Sequence, residues 1–550
     1  MGGTQAGVFG AIALVLLTVI VRQLLPGGTR TFQLLRRHRL AREAVREVGS
    51  ASDYHARVQG DAADLDAIDD RTWIDLDLDE VFLRIDRTVS QVGRQCLYRL
   101  LRALLHDRAA LDQRDAATTR LANDPALAER VRSSLESLAD ERSAQLIYLM
   151  FGQLPKRPAV AWLFALLTVS SIGCILATPF WPRAFIGWLA VCGANIAVQI
   201  VYKPKLQRFV AAIHELPKFV RAARSLASVD APELAFATRN LADNASRLDL
   251  LKRASGWLMF EPGQTNELVA SVYEYVNIIL LLDVNAFMFA VSALETLRPV
   301  MRSAFESLGQ LDALQSIATW RSELSSWTLP ALIEHGKQLS AEQMYHPLLE
   351  TPVANSIDIR DRGVLITGSN MSGKTTFVRT LGVNAVLAQT LFTVCADTWH
   401  GPLLSVRTSI GRADSIVEGK SYYLAEAESV RSLIIAKSDG RQHLFLLDEI
   451  FRGTNTPERV AGGYAVLRHL NRGGDLVVVA THDVELVGML GDSYDAHHFR
   501  EEIGEGTITF DHRIRSGPPS TTNAIAMLGL LGYPPELVAD ALAQLGANGI

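Results

Sequence analysis

The chain has 550 residues, of which 48% are hydrophobic and 21% are charged, and its formal net charge is −5. This length predicts about two to four domains, and the hydrophobic share indicates that some segments lie in lipid. The negative charge excludes a polycation, so any contact with nucleic acid needs a local basic patch. The four cysteines are widely spaced, which excludes a disulfide framework and a zinc motif and favours a reducing compartment.

The first apolar run covers residues 6–21 and continues to residue 25. It predicts an N-terminal transmembrane anchor over residues 1–25. A cleaved signal peptide is the alternative, although no basic segment precedes the run. Residues 26–69 follow as a basic, helical linker next to the membrane. Its arginines either touch anionic lipid or form a solvated helix face.

Residues 70–157 predict the first part of a helical core and lever domain, because leucines recur at helical spacing between residues 97 and 105. Residues 203–335 are predicted to form the second part of this helical core and lever domain. The apolar run 277–294 belongs to that part, and Asp283 and Asn285 lie near its middle. Because an unpaired charge is costly in lipid, we predict that this run is a buried helix of a soluble domain.

Two apolar runs, 158–178 and 184–202, separate the two helical parts. Neither contains a charged residue, and each is about long enough to cross a hydrocarbon core of roughly 30 Å. They predict a transmembrane hairpin over residues 158–202. A buried helix pair of a soluble domain is the alternative.

The charges that flank these runs predict their orientation. Lys156 and Arg157 precede the hairpin, Lys203 and Lys205 follow it, and the first run is followed by many arginines. Positive flanks stay on the cytoplasmic side of a membrane. We therefore expect the inner or plasma membrane as the location, with the N-terminus outside and the C-terminal domain facing the cytoplasm.

Residues 340–550 differ from the preceding residues in their pattern of apolar residues. Short apolar runs at 363–367, 444–447 and 475–480 are typical of buried strands, and helical stretches lie between them. This alternation predicts an α/β domain with a parallel sheet.

The sequence GSNMSGKT at residues 368–375 matches the P-loop pattern and lies between a predicted strand and a predicted helix. Backbone N–H groups of such a loop bind phosphates at the helix start. Lys374 is expected at the β- and γ-phosphates of ATP, and the Thr375 hydroxyl at Mg²⁺. The residues predicted to bind the nucleotide here are Gly368, Ser369, Asn370, Met371, Ser372, Gly373, Lys374, Thr375 and Thr376.

Two acidic residues end the strand-like run 444–447. Asp448 suits Mg²⁺, and Glu449 suits the polarisation of an attacking water. His482 follows the run 475–480, where a histidine either senses the γ-phosphate or is an ordinary loop residue. Together with Lys374, these residues predict an ATP hydrolase with Glu449, His482 and Lys374 as catalytic residues.

Taken together, these segments resemble the MutS family of ABC-class ATPases. DEIFRGTNT at 448–456 is similar to the family's D-E-I-G-R-G-T-S-T stretch, and ATHDVEL at 480–486 to its A-T-H-Y-x-E-L. GKS at 419–421 resembles the signature segment, and His346-Pro347 resembles the family's H-P-x-x-E. The resemblance implies that His346 lies near the adenine and that Ser421 reaches the γ-phosphate bound in a second subunit. It therefore implies a homodimer with two composite ATP sites, in which the tail of the chain packs on the partner.

The resemblance extends upstream to residues 70–150 and 205–335, but the chain also departs from the family. Ser369, Ser372 and Tyr422-Tyr423 replace other residues within the motifs. The front of the chain has no Phe-x-Glu pair, and residues 1–69 leave no room for a mismatch-binding domain. We therefore expect a membrane-anchored member that lacks this domain. Its predicted fold class is an α/β P-loop ABC-type ATPase domain plus an all-α core and lever domain and three transmembrane helices.

Two functional hypotheses stay open. In the first, ATP binding and hydrolysis drive lever movement, and the family resemblance alone adds DNA as a partner in a role of the mismatch-repair type. In the second, the chain is a membrane scaffold or transport-type ATPase that acts on a membrane partner without binding DNA. Both hypotheses include a homodimer and membrane lipid as partners.

Overall fold

The computed structural model of the chain describes residues 39–58, 66–154, 158–255, 267–369, 372–411, 422–504, 507–518 and 532–547. The chain divides into two compact units, and residues of the predicted segment 70–157 fall in both of them. The first unit comprises Met1–Asp61, Thr88–Leu97 and Asp124–Ala313, and the second comprises Ala62–Arg87, Tyr98–Asn123 and Leu314–Ile550.

The helices have the following bounds in chain order: α1 Arg39–Val58, α2 Asp70–Asp75, α3 Leu78–Ile85, α4 Gln91–Arg102, α5 Arg108–Asn123, α6 Pro125–Leu135, α7 Leu146–Met150, α8 Ala161–Ala177, α9 Ala184–Ala227, α10 Ala235–Asp243, α11 Ala245–Ser255, α12 Glu267–Leu280, α13 Leu282–Glu323, α14 Lys374–Thr390, α15 Tyr422–Ala436, α16 Thr456–Leu470, α17 Val484–Leu490 and α18 Pro535–Ala547. Short 3₁₀ helices cover Glu136–Leu138, Glu141–Gln145 and Pro232–Leu234.

The described strands all belong to the second unit. They are β1 Asp66–Ala67, β2 Ala103–Leu104, β3 Ala331–Ile333, β4 Gln338–Met344, β5 Asn355–Arg360, β6 Gly363–Thr367, β7 Thr398–Pro402, β8 Ser405–Ile410, β9 His443–Asp448, β10 Leu476–Ala480, β11 Tyr494–His498, β12 Glu501–Gly504, β13 Thr507–Phe510 and β14 Arg515–Ser516. A helical unit and an α/β unit agree with the predicted fold class in these two respects.

The central sheet of the second unit has six strands in the order β14-β11-β6-β10-β9-β8. All neighbouring strands pair in parallel except β14, which is antiparallel to β11. Strands β6, β9 and β10 are buried along their whole length, as their continuous apolar sequences predict for a sheet covered on both faces. Because β6 and β9 both pair with β10, the residues that follow them meet at one edge of the sheet.

Helix α14 follows β6 and is buried on nearly all sides. It packs so closely that a Cβ atom on Gly382 would lie 2.6 Å from Leu446 Cδ1 and 2.7 Å from Leu76 Cδ2. The segment that begins at β1 therefore contributes to the core of this unit. Asp75, at the end of α2, accepts hydrogen bonds from Thr408 Oγ1 at 2.8 Å and from Ile410 N at 2.9 Å.

The first unit is helical and has a cluster of aromatic side chains in its core. Tyr54, Phe151 and Phe305 have ring centroids between 5.2 and 5.6 Å apart. Buried acids in this unit are hydrogen-bonded, as burial of charge requires. Asp312 accepts from Val89 N at 3.0 Å and Ser90 N at 2.8 Å, and it thereby fixes the start of α4.

The prediction of three transmembrane helices is wrong for the described residues, because one helix there is long and apolar enough to cross a membrane, Ala184–Pro204. The run 158–178 forms α8, which has 17 residues, because turns at residues 159–160 and 178–180 shorten it at both ends. The first run, 6–21, lies outside the described residues.

The apolar run 277–294 is not the single buried helix that its composition predicts. The structure breaks it at Leu281, whose φ angle is 50°, between α12 and α13. Polar side chains next to the break hold it. Asn277 Oδ1 accepts from Asp283 N at 3.0 Å, and Asn277 Nδ2 donates to Asp283 Oδ2 at 2.6 Å.

Candidate nucleotide-binding site

The loop between β6 and α14 has a backbone that only glycine adopts easily at two positions. Gly368 and Gly373 have φ angles of 143° and 114°. A Cβ atom on Gly368 would also lie 2.7 Å from the carbonyl oxygen of Phe499. Ser372 Oγ donates to Ser369 O at 2.8 Å within the loop. The loop thus reverses tightly at the edge of the sheet and leads directly into the helix.

Lys374 is the first residue of α14, and its side chain folds back over the loop. Its Nζ donates to Gly368 O at 2.6 Å and to Ser369 O at 2.8 Å. Burial lowers the pKa of Lys374, while the charges of Asp448 and Glu449 oppose this shift. The ammonium group is therefore held beside the loop, where it can contact an anion bound to the backbone N–H groups.

Thr375 and Asp448 are joined across the sheet edge. Thr375 Oγ1 donates to Asp448 Oδ2 at 2.6 Å. Asp448 Oδ1 is buried and has no hydrogen-bond partner among the described residues. Mg²⁺ prefers hard oxygen ligands and is usually bound by one or two protein oxygens together with phosphates and water. This hydroxyl and carboxylate therefore fit Mg²⁺.

Glu449 follows β9 in a left-handed conformation, with a φ angle of 52°, and its N–H donates to Ala480 O at 2.8 Å. Its carboxylate contacts two side chains, His482 through Nε2 at 2.6 Å and the Arg452 guanidinium. Burial acts to raise the pKa of Glu449, but the hydrogen bond and charge of His482, with the charge of Arg452, outweigh burial and lower it. Glu449 is therefore ionised at neutral pH.

These groups line one cavity of about 640 Å³. His346 lies in its wall and is buried, and burial together with the charge of Arg379 lowers its pKa to about 4. The imidazole is therefore neutral at physiological pH. The cavity is lined by Met344, His346, Leu349, Thr351, Val353, Asn355, Ser369, Gly373, Lys374, Thr375, Thr376, Phe377, Thr380, Gly411, Asp448, Glu449, Arg452 and His512.

Comparison with known proteins agrees with this geometry. Residues 364–547, which contain the loop, Asp448 and Glu449, match the family profile of MutS domain V. This domain of the chain is therefore of the MutS family. It is 32% identical over 251 residues to the DNA mismatch repair protein MutS of Thermus aquaticus, an alignment that covers 43% of this chain and 31% of that protein. It is 30% identical over 273 residues to the DNA mismatch repair protein MutS of Streptococcus mutans, covering 47% of this chain and 32% of that protein.

The chain thus spans about a third of the length of these MutS relatives. Within the shared domain, the structure brings most of the predicted site residues to one cavity, and His482 contacts Glu449 at its edge. Gly368 and Ser372 form the turn beneath it. Three predicted residues lie outside the described part of the chain, namely Asn370, Met371 and Ser421.

Sequence reasoning missed several residues of this MutS-type site. Arg452 contacts Glu449, and it lies within the stretch 448–456 whose family resemblance could have pointed to it. His512 Nδ1 lies 3.1 Å from Ser372 O, and Glu501 Oε2 accepts from Ser369 Oγ at 2.7 Å. No sequence pattern signals these last two residues, because β11 to β14 bring them back to the loop from more than 120 positions away.

Proposed function

We propose that this chain is a membrane-anchored ATPase that binds ATP and Mg²⁺ in the cavity beside residues 368–375 and hydrolyses ATP there. One observation carries the proposal. The Thr375–Asp448 pair and an ionised Glu449 face the same cavity as Lys374 and the glycine loop. Phosphate binding, metal binding and activation of water need these groups close together.

Each side chain has a distinct part in the proposed reaction. The loop N–H groups and Lys374 bind the phosphates and stabilise their charge. Thr375 and Asp448 would hold Mg²⁺, which neutralises the phosphate oxygens when it is bound. Glu449 orients the attacking water and accepts its proton. His482 and Arg452 hold the carboxylate in place, so both act as positioning residues toward the water.

Measurement of ATP turnover by the purified full-length chain tests this proposal. We expect Glu449→Gln to slow phosphate release by about 10² to 10⁴-fold while ATP still binds, since proton transfer contributes about this much. Lys374→Ala should weaken ATP binding itself. Glu485→Gln, an exposed acid on α17, serves as the matched control and should leave both quantities unchanged. Phosphate release that is no slower in Glu449→Gln would refute the assignment of the base.

The active form that we propose is a homodimer with composite sites, to which Ser421 of a second copy contributes. The surface after the signature segment supports this arrangement. Tyr423 and Leu424, at the start of α15, are apolar yet 45% and 48% exposed, and the Tyr423 ring lies 6.0 Å from Phe451. We expect ATP to shift the Glu449→Gln variant from monomer to dimer in analytical ultracentrifugation. A monomer at saturating ATP would contradict the composite site.

We further propose that α8 and the first half of α9 cross the inner or plasma membrane as a hairpin, with the ATPase on the cytoplasmic side. Large apolar side chains on both helices are exposed, including Leu176 at 67% and Ile186 at 70%. Charged residues flank the pair, and its 17-residue helix is at the lower end of the spanning range, about 17–25 residues. Vesicle flotation tests this placement. A chain lacking residues 1–25 should still float with lipid, whereas a chain that also lacks 158–202 should not.

Two kinds of molecule are candidates for the partner on which the ATPase acts, namely DNA and a membrane partner. DNA binding, in a mismatch-repair type of role, is favoured by the relatives, whose names are DNA mismatch repair protein MutS. The exposed apolar hairpin favours a scaffold or transport-type motor that moves its levers against a membrane partner. Titration with homoduplex, mismatched and branched DNA distinguishes them, because DNA binding must weaken steeply as salt increases. No salt-sensitive binding to any of the three would leave the membrane role.

A further inference from the structure

Helices α12 and α13 form a helical hairpin alongside α9. Gln199 Nε2 donates to Asn277 O at 3.2 Å, and Asn195 Nδ2 donates to Ile279 O at 2.6 Å. Residues later in α12 therefore contact residues earlier in α9, so the two helices are antiparallel. After the break at Leu281 the direction reverses. The rings of Phe209 and Phe287 lie 5.8 Å apart, so α13 runs back along α9 in the opposite sense.

Side chains of the proposed membrane hairpin, α8 and α9, donate hydrogen bonds to backbone carbonyl groups at the tip of this second hairpin. The last carbonyl groups of a helix have no partner within the helix and take water or a cap. Here Thr168 Oγ1 donates to Leu280 O at 2.7 Å, and the carbonyls of residues 277 and 279 are bonded to α9 as described above. A tip exposed to water needs no such caps, whereas a tip in lipid requires them.

The carboxylate at the tip is also hydrogen-bonded. Asp283 lies in the first turn of α13, where a negative charge is favourable. Its carboxylate accepts from Tyr273 OH at 2.8 Å and from Asn277 Nδ2 at 2.6 Å. The sequence argument against lipid at this run rested on an unpaired charge, and this carboxylate is hydrogen-bonded twice.

The tip lies at mid-depth of the apolar hairpin. Asn195 precedes Pro204, the end of the apolar part of α9, by nine positions, or about 14 Å of helical rise. Thr168 follows Ala161, the start of α8, by seven positions, or about 10 Å. These depths are about a half and about a third of a hydrocarbon core of roughly 30 Å, so the tip would lie in the interior of that core.

An apolar groove joins the two hairpins on their outer surface. Its volume is about 270 Å³. Val276, in its wall, is 36% exposed, and Val272, one turn earlier on α12, is 53% exposed. The exposed surface of α12 is therefore continuous with that of α8. The groove is lined by Ile172, Ile175, Leu176, Val276, Ile279 and Leu280.

We infer that α12 and the first turns of α13 form a re-entrant membrane hairpin, which enters the bilayer to about its midplane and returns to the same side. Its partner is bilayer lipid, and an acyl chain occupies the groove between α8 and α12. This inference rests on the proposed membrane placement of residues 158–202. It removes the conflict between an apolar run in lipid and a cytoplasmic ATPase, because a hairpin that returns adds no crossing.

Photo-crosslinking of the full chain in phosphatidylethanolamine and phosphatidylglycerol vesicles tests the inference. A benzophenone amino acid replaces Val276, Leu176 or Ile435, of which Leu176 tests the spanning hairpin and Ile435 is an exposed apolar residue of the ATPase unit. We expect Val276 and Leu176 to give lipid adducts at least about tenfold above Ile435, since only they would face acyl chains.

The outcomes separate the two proposals. Lipid adducts at Leu176 alone would overturn the re-entrant hairpin and leave the membrane placement of residues 158–202 intact. Adducts at neither position would overturn that placement, and the inference with it. A protein–protein adduct at Val276 would show that a second copy or another protein covers the groove, and it would also overturn the inference.

A sidedness measurement then distinguishes re-entry from a full crossing. In a chain whose four cysteines are replaced by serine, Leu250→Cys and Thr296→Cys lie on either side of the hairpin. A membrane-impermeant maleimide should label both positions from the face that carries the ATPase. Labelling of the two from opposite faces would mean that the segment spans the bilayer and would refute re-entry.

Discussion

Asp66 is the residue whose replacement best tests how the second unit is built. Its carboxylate is 2% exposed and accepts from Arg407 at 3.1 Å, Arg441 at 3.0 Å and the Ser405 hydroxyl, and it lies 3.1 Å from His106 Nε2. These contacts join the segment that begins at β1 to strand β8 and to the residues before β9. Asp66→Asn removes the charge with little change of shape and leaves Arg407, 15% exposed, without its buried partner.

Loss of one partner from a buried ion pair costs about 3–5 kcal/mol, because the remaining charge is uncompensated. If this energy holds the segment on the sheet, amides protected by it should exchange about 10² to 10⁴-fold faster in the variant. Asp112→Asn is the matched control. Asp112 pairs with Arg108 at 2.9 Å, but the two side chains are 54% and 49% exposed, so loss of this pair should cost less than about 1 kcal/mol.

Hydrogen exchange read by mass spectrometry measures this effect on peptides covering 66–85 and 405–410. Burial acts to raise the pKa of Asp66, but hydrogen bonds from His106, Ser405 and Arg407 outweigh it and hold the pKa well below its usual range. The stabilisation is therefore fully present above the unfolded pKa, about 3.9, and is lost only as pH falls below it. The difference between variant and wild type should stay constant from about pH 8 to pH 5. Equal exchange in Asp66→Asn and Asp112→Asn would refute the reasoning.

Three further predictions concern residues of the second unit. Gly382→Ala should lower its stability by about 1–3 kcal/mol in thermal unfolding, because the added Cβ meets the buried Leu76 and Leu446. Burial raises the pKa of the Cys395 thiol to about 12, so iodoacetamide should label Cys395 only after unfolding, as mass spectrometry would detect. Because the pKa of His346 is lowered to about 4, its imidazole should not titrate between about pH 6 and 8, so the pH profile of ATP affinity measured by fluorescence should be the same in His346→Gln and in the wild type.

The parts that sequence patterns predicted well are those in which neighbouring residues carry the signal. The glycine loop, the strand before it and the helix after it form one continuous segment, so their order alone predicts a phosphate site. Asp448 and Glu449 could be predicted as well, because acidic residues at the end of a buried strand meet the loop at the same sheet edge. In both cases the chemistry and the fold depend on a few consecutive positions.

The parts that sequence patterns did not predict depend on contacts between distant positions. Apolar content alone could not show that Leu281 breaks the run 277–294, because the caps come from Asn195 and Thr168, which lie more than 80 positions upstream. The same holds for Asp66, which the sequence placed in a linker beside the membrane and the structure places in an ion cluster with Arg407.

The reversal of the chain at Leu281 also affects the side of the membrane on which the ATPase domain is expected to lie. If residues 158–202 cross the bilayer twice, Lys156 and Lys203 lie on the same side, as the positive-inside rule requires. A straight apolar helix over 267–294 would then add one crossing and place Lys374 outside, away from cytoplasmic ATP. A hairpin that enters the bilayer and returns adds no crossing. With it, the positions of the flanking lysines and the need for cytoplasmic ATP agree on one membrane topology. In the proposed topology, a cytoplasmic P-loop would therefore depend on a break in one helix, next to which Asn195, Gln199 and Thr168 donate hydrogen bonds to the end of α12.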